Sequence, residues 1–334
     1  MVISSQDERR IADRYTYPLY LAVGTERSVK STAFESAGMS PTIDSILVPT
    51  DGSDGAQIGA RRGVDLAATV GADLHAVSVV DSHEIESGLD ADSQAERERL
   101  LEAEAERAVD SVADLARTHL SGEITTAVES GVPVQTINDY VDTRDIDLIV
   151  MGTQGRTGFE RVVLGSVAEK TVRTADVPVV TVTPDADIDD IGDQPCENVL
   201  LPTDGSEGAE LAIEWGITLA EAYDATVHTV YSVDTSRFGG VEESAEIHDA
   251  LGQAGREALE TVRERSRAAD VSVTGSIATG PAARTILSYG EEHDVDLIVM
   301  GTHGRSGLRR HLIGSVTETV VRNAAVPVCC VPMR

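Results

Sequence analysis

Two stretches carry residue types that could do chemistry, 152–166 (GTQGRTGFERVVLGS) and 301–315 (GTHGRSGLRRHLIGS). Both have one skeleton: glycine, two residues, glycine, nine residues, glycine, serine. Gly152 and Gly155 allow a turn that side chains would block, and they let backbone N–H groups approach an anion. Gly165 and Ser166 place further N–H groups, and a hydroxyl, where a helix opens, an end carrying roughly half a positive charge. Gly301, Gly304, Gly314 and Ser315 repeat the arrangement. The chemistry this suits is phosphate binding by backbone donors. The competing reading is glycine for tight turning and serine as an ordinary helix cap. Duplication would copy a structural loop as readily as a binding loop, so the second copy is not independent support.

The loops differ in charge. Residues 152–166 hold Arg156, Arg161 and Glu160, net +1, whereas 301–315 hold Arg305, Arg309 and Arg310 without an acid, net +3. The second loop is therefore expected to hold a polyphosphate more tightly, unless these arginines only form a solvated face. The variable position is Gln154 in one loop and His303 in the other, so phosphate contact by His303 would make the second site more pH-sensitive.

A second element, PTDGS, stands at 49–53 and 202–206. Asp51 and Asp204 end strands, where a carboxylate can accept hydrogen bonds from a ribose or a base, or can cap the next helix. The element is neither a Walker loop nor the GxGxxG dinucleotide fingerprint.

The elements that position these residues are legible by periodicity. Apolar runs at 46–50, 74–80, 123–129, 147–151 and 177–183 read as strands. Between them lie helical patterns: one to about Val70, 92–119 with Leu101, Ala105, Ala108, Val112 and Leu115 on one stripe, 133–143 from Pro133, and 166–174. Apolar strands alternating with amphipathic helices imply an α/β fold with a parallel sheet covered on both faces. The whole order then recurs. Positions 144–182 and 293–331 share 23 of 39 residues, which is a tandem duplication. The expected domains are 44–184 and 198–334, joined by an acidic, solvated linker at 185–197.

Residues 1–43 form an N-terminal extension. Its first 38 residues hold five basic and five acidic residues, so the net charge of -30 lies beyond them. They read as a flexible tail, or Met39 is the true start.

That charge, 57 acidic against 27 basic residues, repels phosphate backbones and anionic lipid, so no nucleic-acid or membrane partner is expected. No apolar run approaches the about 20 residues of a membrane helix, and residues 1–10 lack the pattern of a signal peptide, which points to the cytoplasm. Lysine stands only at Lys30 and Lys170. An acid-rich, lysine-poor composition resembles that of proteins from halophilic archaea, and implies stability that rises with salt. Cys196, Cys329 and Cys330 make no disulfide framework and no metal set; the last two, adjacent in a strand, should point to opposite faces. His75, His119 and His228 show no partner in the sequence.

With two intact glycine loops and two PTDGS elements, the chain resembles a tandem universal stress protein of the ATP-binding subgroup, from about residue 44 onward. The resemblance implies two Rossmann-like domains of the adenine nucleotide alpha hydrolase type, each a five-stranded parallel sheet of order 3-2-1-4-5. Strands 1 and 4 then meet where the winding reverses, a switch-point crevice. It implies ATP there, with Mg2+ as an optional companion. In the first repeat Pro49, Thr50 and Asp51 would meet the nucleoside, Val79 the adenine through its backbone, and Met151 would pack beside them. Gly152, Gly155, Arg156, Gly165, Ser166 and Val167 would hold the phosphates. The matching residues of the second repeat are Pro202, Thr203, Asp204, Ser232, Met300, Gly301, Gly304, Arg305, Gly314, Ser315 and Val316. It also implies that the two repeats pair through their fifth strands as a built-in dimer, with a further homodimer and an unidentified protein partner open.

Neither loop supplies a second acid or a Walker lysine for hydrolysis, so ATP binding with slow or absent turnover is the expected function, acting as a stress-response switch. The rival is a nucleotide-independent scaffold that uses the strand-5 edges. An adenylating ligase ranks last, for want of an SGGxDS-like loop.

Overall fold

The computed structural model describes residues 40–82, 91–155, 164–186, 191–192, 195–234, 245–304 and 313–333. The extension at 1–39, and with it the question of Met39, lies outside them, as do Arg156, Arg161, Glu160, Arg305, Arg309 and Arg310.

The first repeat runs β1 (Ser45–Pro49), α1 (Asp54–Val70), β2 (Asp73–Asp81), α2 (Ala91–Arg117), β3 (Ile124–Gly131), α3 (Pro133–Thr143), β4 (Leu148–Gly152), α4 (Ser166–Thr174) and β5 (Val179–Val182). The second runs β6 (Asn198–Pro202), α5 (Glu207–Tyr223), β7 (Thr226–Val233), α6 (Ala245–Ala268), β8 (Val273–Thr279), α7 (Ala282–Glu292), β9 (Leu297–Gly301), α8 (Ser315–Asn323) and β10 (Val328–Val331). Local chemistry sets the ends. The Ser53 hydroxyl accepts from the Ala56 amide and opens α1, and Gly71 at φ 76 closes it in a conformation that suits glycine. Pro133 opens α3, where a missing N–H costs nothing. Among the described residues, no helix is long and apolar enough to cross a membrane.

The strand order is β3-β2-β1-β4-β5-β10-β9-β6-β7-β8. Each half thus keeps the 3-2-1-4-5 order. The detail that differs from two separate sheets is their fusion into one sheet of 10 strands. All pairing within a half is parallel. The halves meet antiparallel, Val328 opposite Thr181, Cys329 opposite Val180 and Cys330 opposite Val179. Thr181 Oγ1 donates across this seam to the Val328 carbonyl (3.1 Å), and Thr183 Oγ1 to that of Ala324 (3.1 Å). Arg322, which also pairs with Glu318 on its own helix, reaches Glu169 of α4 at 3.4 Å. The repeats therefore pair with each other, as the resemblance implies.

Strand alternation divides the core in two. Ile46, Val48, Val150, Leu201 and Cys329 pack under α1, α2, α5 and α6, whereas Leu47, Ile149, Leu200, Ile298 and Cys330 pack under α3, α4, α7 and α8. The adjacent cysteines thus face opposite sides, and burial pushes the Cys329 thiol up to about 12.

One expectation needs correction. The segment between the repeats is not simply solvated: Ala186 and Cys196 are buried, and Asp65 of α1 accepts a hydrogen bond from the Gly192 amide at 3.0 Å. Its acidic residues hid this, because backbone anchoring leaves no charge signature. The histidines do have partners. His75 Nδ1 meets Tyr140 Oη at 3.0 Å, and His119 Nδ1 meets the Leu115 carbonyl at 2.9 Å. His228 sits between Tyr289 Oη (3.2 Å) and Asn198 Oδ1 (3.1 Å).

Burial, with the neighbouring His293 adding to it, pushes the His228 pKa down to about 4. The unfolded chain takes up that proton near pH 6.5, the folded chain only near pH 4. In that window the unfolded state binds more protons, so stability falls as pH drops. Relative to a His228→Gln variant, the wild type should lose about 2 kcal/mol more between pH 7.5 and 5. Parallel denaturation curves at the two pH values would refute this.

Candidate functional site

Strands 1 and 4 of each half end side by side, and the loops beyond them converge. Beyond β1, the buried Thr50 donates its amide to the Val77 carbonyl at 2.8 Å, and its hydroxyl oxygen accepts from Gly52 at 3.2 Å. The Asp51 carboxylate accepts from the Ser53 amide (3.0 Å) and hydroxyl (2.5 Å). Gly52 has φ 76. The second repeat repeats the turn: Thr203 to Val230 at 3.0 Å, Gly205 to Thr203 Oγ1 at 3.2 Å, and Ser206 N to Asp204 Oδ1 at 3.0 Å.

Beyond β4, the Thr153 amide donates to Val182 (2.9 Å), and the Thr153 carbonyl accepts from Gly165 (2.6 Å). Thr302 does the same with Val331 (2.9 Å) and Gly314 (2.8 Å). These bonds close the two ends of each glycine loop against the sheet. The next helix has Gly165, or Gly314, as its cap and no side-chain cap bond. Ser166 and Ser315 are therefore the first helical residues, not caps, and both are exposed. That removes the capping alternative and leaves the first-turn amides of Ser166 and Val167, and of Ser315 and Val316, without an intrahelical acceptor. The hydroxyl of Thr317 donates to the Gly301 carbonyl at 2.9 Å in the second repeat, where the first has Ala168.

The two loops touch. A methyl group on Gly155 would stand 2.9 Å from Asp51 Oδ2, and one on Gly304 would stand 2.6 Å from Asp204 Oδ2. A methyl on Gly165 would stand 3.0 Å from the Thr153 carbonyl oxygen. The glycines thus let the two loops approach each other closely.

Pro49 and Met151 are buried, Gly152 and Val79 half-buried, and Gly155 exposed. Met151, Val79 and Val167 share the core cluster of the α3 and α4 face, as Met300 and Val316 share that of α7 and α8. Pro202, Thr203 and Gly301 occupy the equivalent places. Ser232 departs from Val79: its hydroxyl donates to the Gly280 carbonyl at 2.6 Å. His303 Nδ1 lies 2.9 Å from Thr302 Oγ1.

Sequence reasoning missed the residues behind the loops. Methyl groups on Gly55 and Gly59 would stand 2.1 Å from the Gln154 carbonyl oxygen and 2.3 Å from the Gly152 amide. Gly208 is in the same relation to His303, at 2.4 Å. Helix α1 thus sets the height of β4 by direct backbone contact. The signal available was a pair of glycines four residues apart inside a helical pattern.

The universal stress protein family profile matches residues 42–183 and again 195–332. The chain belongs to the universal stress protein family. It is 38% identical over 143 residues to a universal stress protein of Methanocaldococcus jannaschii, a match covering 42% of this chain and 84% of that one. It is 30% identical over 204 residues to a universal stress protein of Mycobacterium bovis, covering 59% of this chain and 64% of the relative's length. Among solved structures, a universal stress protein from Archaeoglobus fulgidus superposes over 87% of this chain and 98% of its own, with a TM-score of 0.65 and 22% identity, a likeness of fold. In this tandem universal stress protein the seam is formed by the fifth strands themselves. Both fifth-strand edges, β5 and β10, are spent on each other and are not available to a partner.

Proposed function

We propose that the chain binds ATP in the crevice of each repeat and acts as a nucleotide-dependent stress-response switch with slow or absent hydrolysis. The observation that carries the reading is the twofold occurrence of one arrangement: an Asp turn and a glycine loop in contact, with a helix opening at the loop's far end whose first-turn amides have no side-chain cap. Thr50, Asp51, Val79 and Met151 would meet the nucleoside, and Gly152, Gly155, Gly165, Ser166 and Val167 the phosphates. In the second repeat Thr203, Asp204, Ser232 and Met300 would take the first role, and Gly301, Gly304, Gly314, Ser315 and Val316 the second. Arg156 and Arg305 would add charge at the loop. Backbone amides and one helix end stabilise phosphate charge without chemistry, which suits retention rather than turnover. Among the described residues, no three His, Cys, Asp or Glu come together to hold a metal, so Mg2+ would be held by the phosphates. We also infer a cytoplasmic protein that works in concentrated salt. A homodimer would need surfaces other than the fifth strands.

Mass spectrometry of small molecules released by denaturing the purified chain should find ATP at one or two per chain. Gly155→Val and Gly304→Val, whose branched side chains displace Asp51 and Asp204, should each remove one site and weaken it at least about 100-fold. A chain that emerges empty and also fails to take up added Mg-ATP would return the loops to a structural role.

A further inference from the structure

A groove of about 350 Å³ lies where the two repeats meet beside α5. Leu211 and Trp215 of α5 line it, with Pro332 beyond β10 and Pro178 before β5. Pro41, at the start of the described residues, lines it too. Its two acids are the exposed Asp176 and Asp147, whose carboxylate already accepts from two backbone amides. Among the described residues three large hydrophobic side chains are exposed, Leu100, Leu211 and Met333. Two of the three belong to this corner, since Met333 follows Pro332. An apolar patch gathered in one place marks a surface that makes a contact.

The first repeat shows what covers the equivalent place. The block 46–55 recurs at 199–208, an offset of 153 residues, which matches Ile58 to Leu211 and Arg62 to Trp215. There the segment that joins β5 to β6 is held on α1. Arg62 donates from Nε to the Ala186 carbonyl at 3.3 Å, and Asp65 accepts from the Gly192 amide at 3.0 Å. Ala186 is buried, and Ile191 packs against the core. The approach to the next strand is then the same in both repeats. Glu197 and Asn198 donate their amides to Asp296 at 2.8 and 2.9 Å, as Asp44 and Ser45 do to Asp147 at 2.9 Å each. Cys196 and Ile43, one position earlier, are both buried. The two segments thus reach their strands alike, and the one that precedes Ile43 is led to the second groove.

We propose that residues 31–39 of the N-terminal extension dock in this groove. By the offset of 153 they correspond to 184–192, the stretch that covers the groove's counterpart. Their sequence, STAFESAGM, offers Ala33, Phe34, Ala37 and Met39 with a single charged residue, Glu35. Phe34 has the area to cover Leu211 and to pack on Trp215. Trp215 stands where Arg62 stands in the first repeat, so an apolar contact takes the place of the arginine's hold on a carbonyl. Attachment through Ser40 keeps the segment at a high local concentration, and a modest contact suffices.

Trp215 is the single tryptophan of the chain, so its fluorescence reads the groove directly. In the full chain at one fixed high salt concentration, Phe34→Asp should move the emission to longer wavelength and raise acrylamide quenching at least about twofold. Tyr17→Asp, farther along the same extension, should change neither. Cross-linking checks the position, because the native Cys196, Cys329 and Cys330 are buried. The pair Phe34→Cys and Leu211→Cys should join within one chain on mild oxidation, whereas Ser4→Cys with Leu211→Cys should not. Trp215 fluorescence indifferent to Phe34→Asp, or equal cross-linking from Ser4→Cys, would overturn the assignment. So would a cross-link that joins two chains, which would place a second copy in the groove.

Discussion

Replacing Gly59 with alanine should destabilise the protein by about 2 kcal/mol or more, although alanine is the better helix former. The added methyl would stand 2.3 Å from the Gly152 amide and 2.8 Å from the Met151 carbonyl carbon, and both are backbone. Backbone cannot rotate away as a side-chain tip can, so α1 and β4 must separate. Overpacking of this kind costs about 3 kcal/mol, and the helix-propensity gain of about 1 kcal/mol offsets only part of it. The same substitution at Gly252 in α6 supplies the contrast. There the nearest atom is the Arg256 guanidinium at 3.6 Å, at the end of a flexible side chain. Gly252→Ala should therefore stabilise, by about 1 kcal/mol. Denaturant unfolding of both variants at one fixed salt concentration reads the difference. Equal effects at the two positions would mean that the close contact between α1 and β4 does not constrain the fold. Because Gly152 begins the glycine loop, Gly59→Ala should also weaken the proposed nucleotide binding in the first repeat and leave the second unchanged.

The second large effect is that of salt. Moving the protein from dilute buffer to molar KCl should raise its melting temperature by on the order of 10 °C. The chain carries 57 acidic residues against 27 basic ones, and among the described residues the ion pairs are chiefly on the surface. Surface pairs of this kind contribute little each, and salt weakens them further. Self-repulsion among the excess carboxylates is the larger quantity, and it too is screened, over about 3 Å at 1 M. The two effects oppose each other, and the excess of acids over bases decides the sign. A melting temperature that stays level, or falls, from dilute buffer to molar KCl would show that repulsion is not the dominant electrostatic quantity.

Much of the fold was legible because its signals are local. The helices Pro133–Thr143 and Ser166–Thr174 fall where a proline and a Gly-Ser pair place their starts. Strand ends shifted by one or two residues where a side chain overrode the apolar pattern. Asp147, read as strand, instead turns its carboxylate to the amides of Asp44 and Ser45 at 2.9 Å each and anchors the start of β1. The strand order came from the resemblance rather than from periodicity, which is blind to pairing. The candidate site was legible as far as its glycines were repeated. Gly55 and Gly59 were missed because a helical glycine has no local signature of the surface it meets. The pairing of His228 with Tyr289 escaped for the same reason, since 61 residues separate the partners.

The antiparallel seam has a consequence for how the molecule can vary. In a one-repeat chain of this fold, the same strand pairing would join two molecules, and its occupancy would follow protein concentration. Here the partners share a covalent chain, so the encounter is unimolecular and dilution cannot undo it. Two identical subunits must also accept every substitution twice, once on each side of the axis. The tandem chain is released from that constraint. Gln154 has His303 as its counterpart, and Val79 has Ser232. Pseudo-symmetry thus holds the two halves in register while each half is free to vary at its own loops.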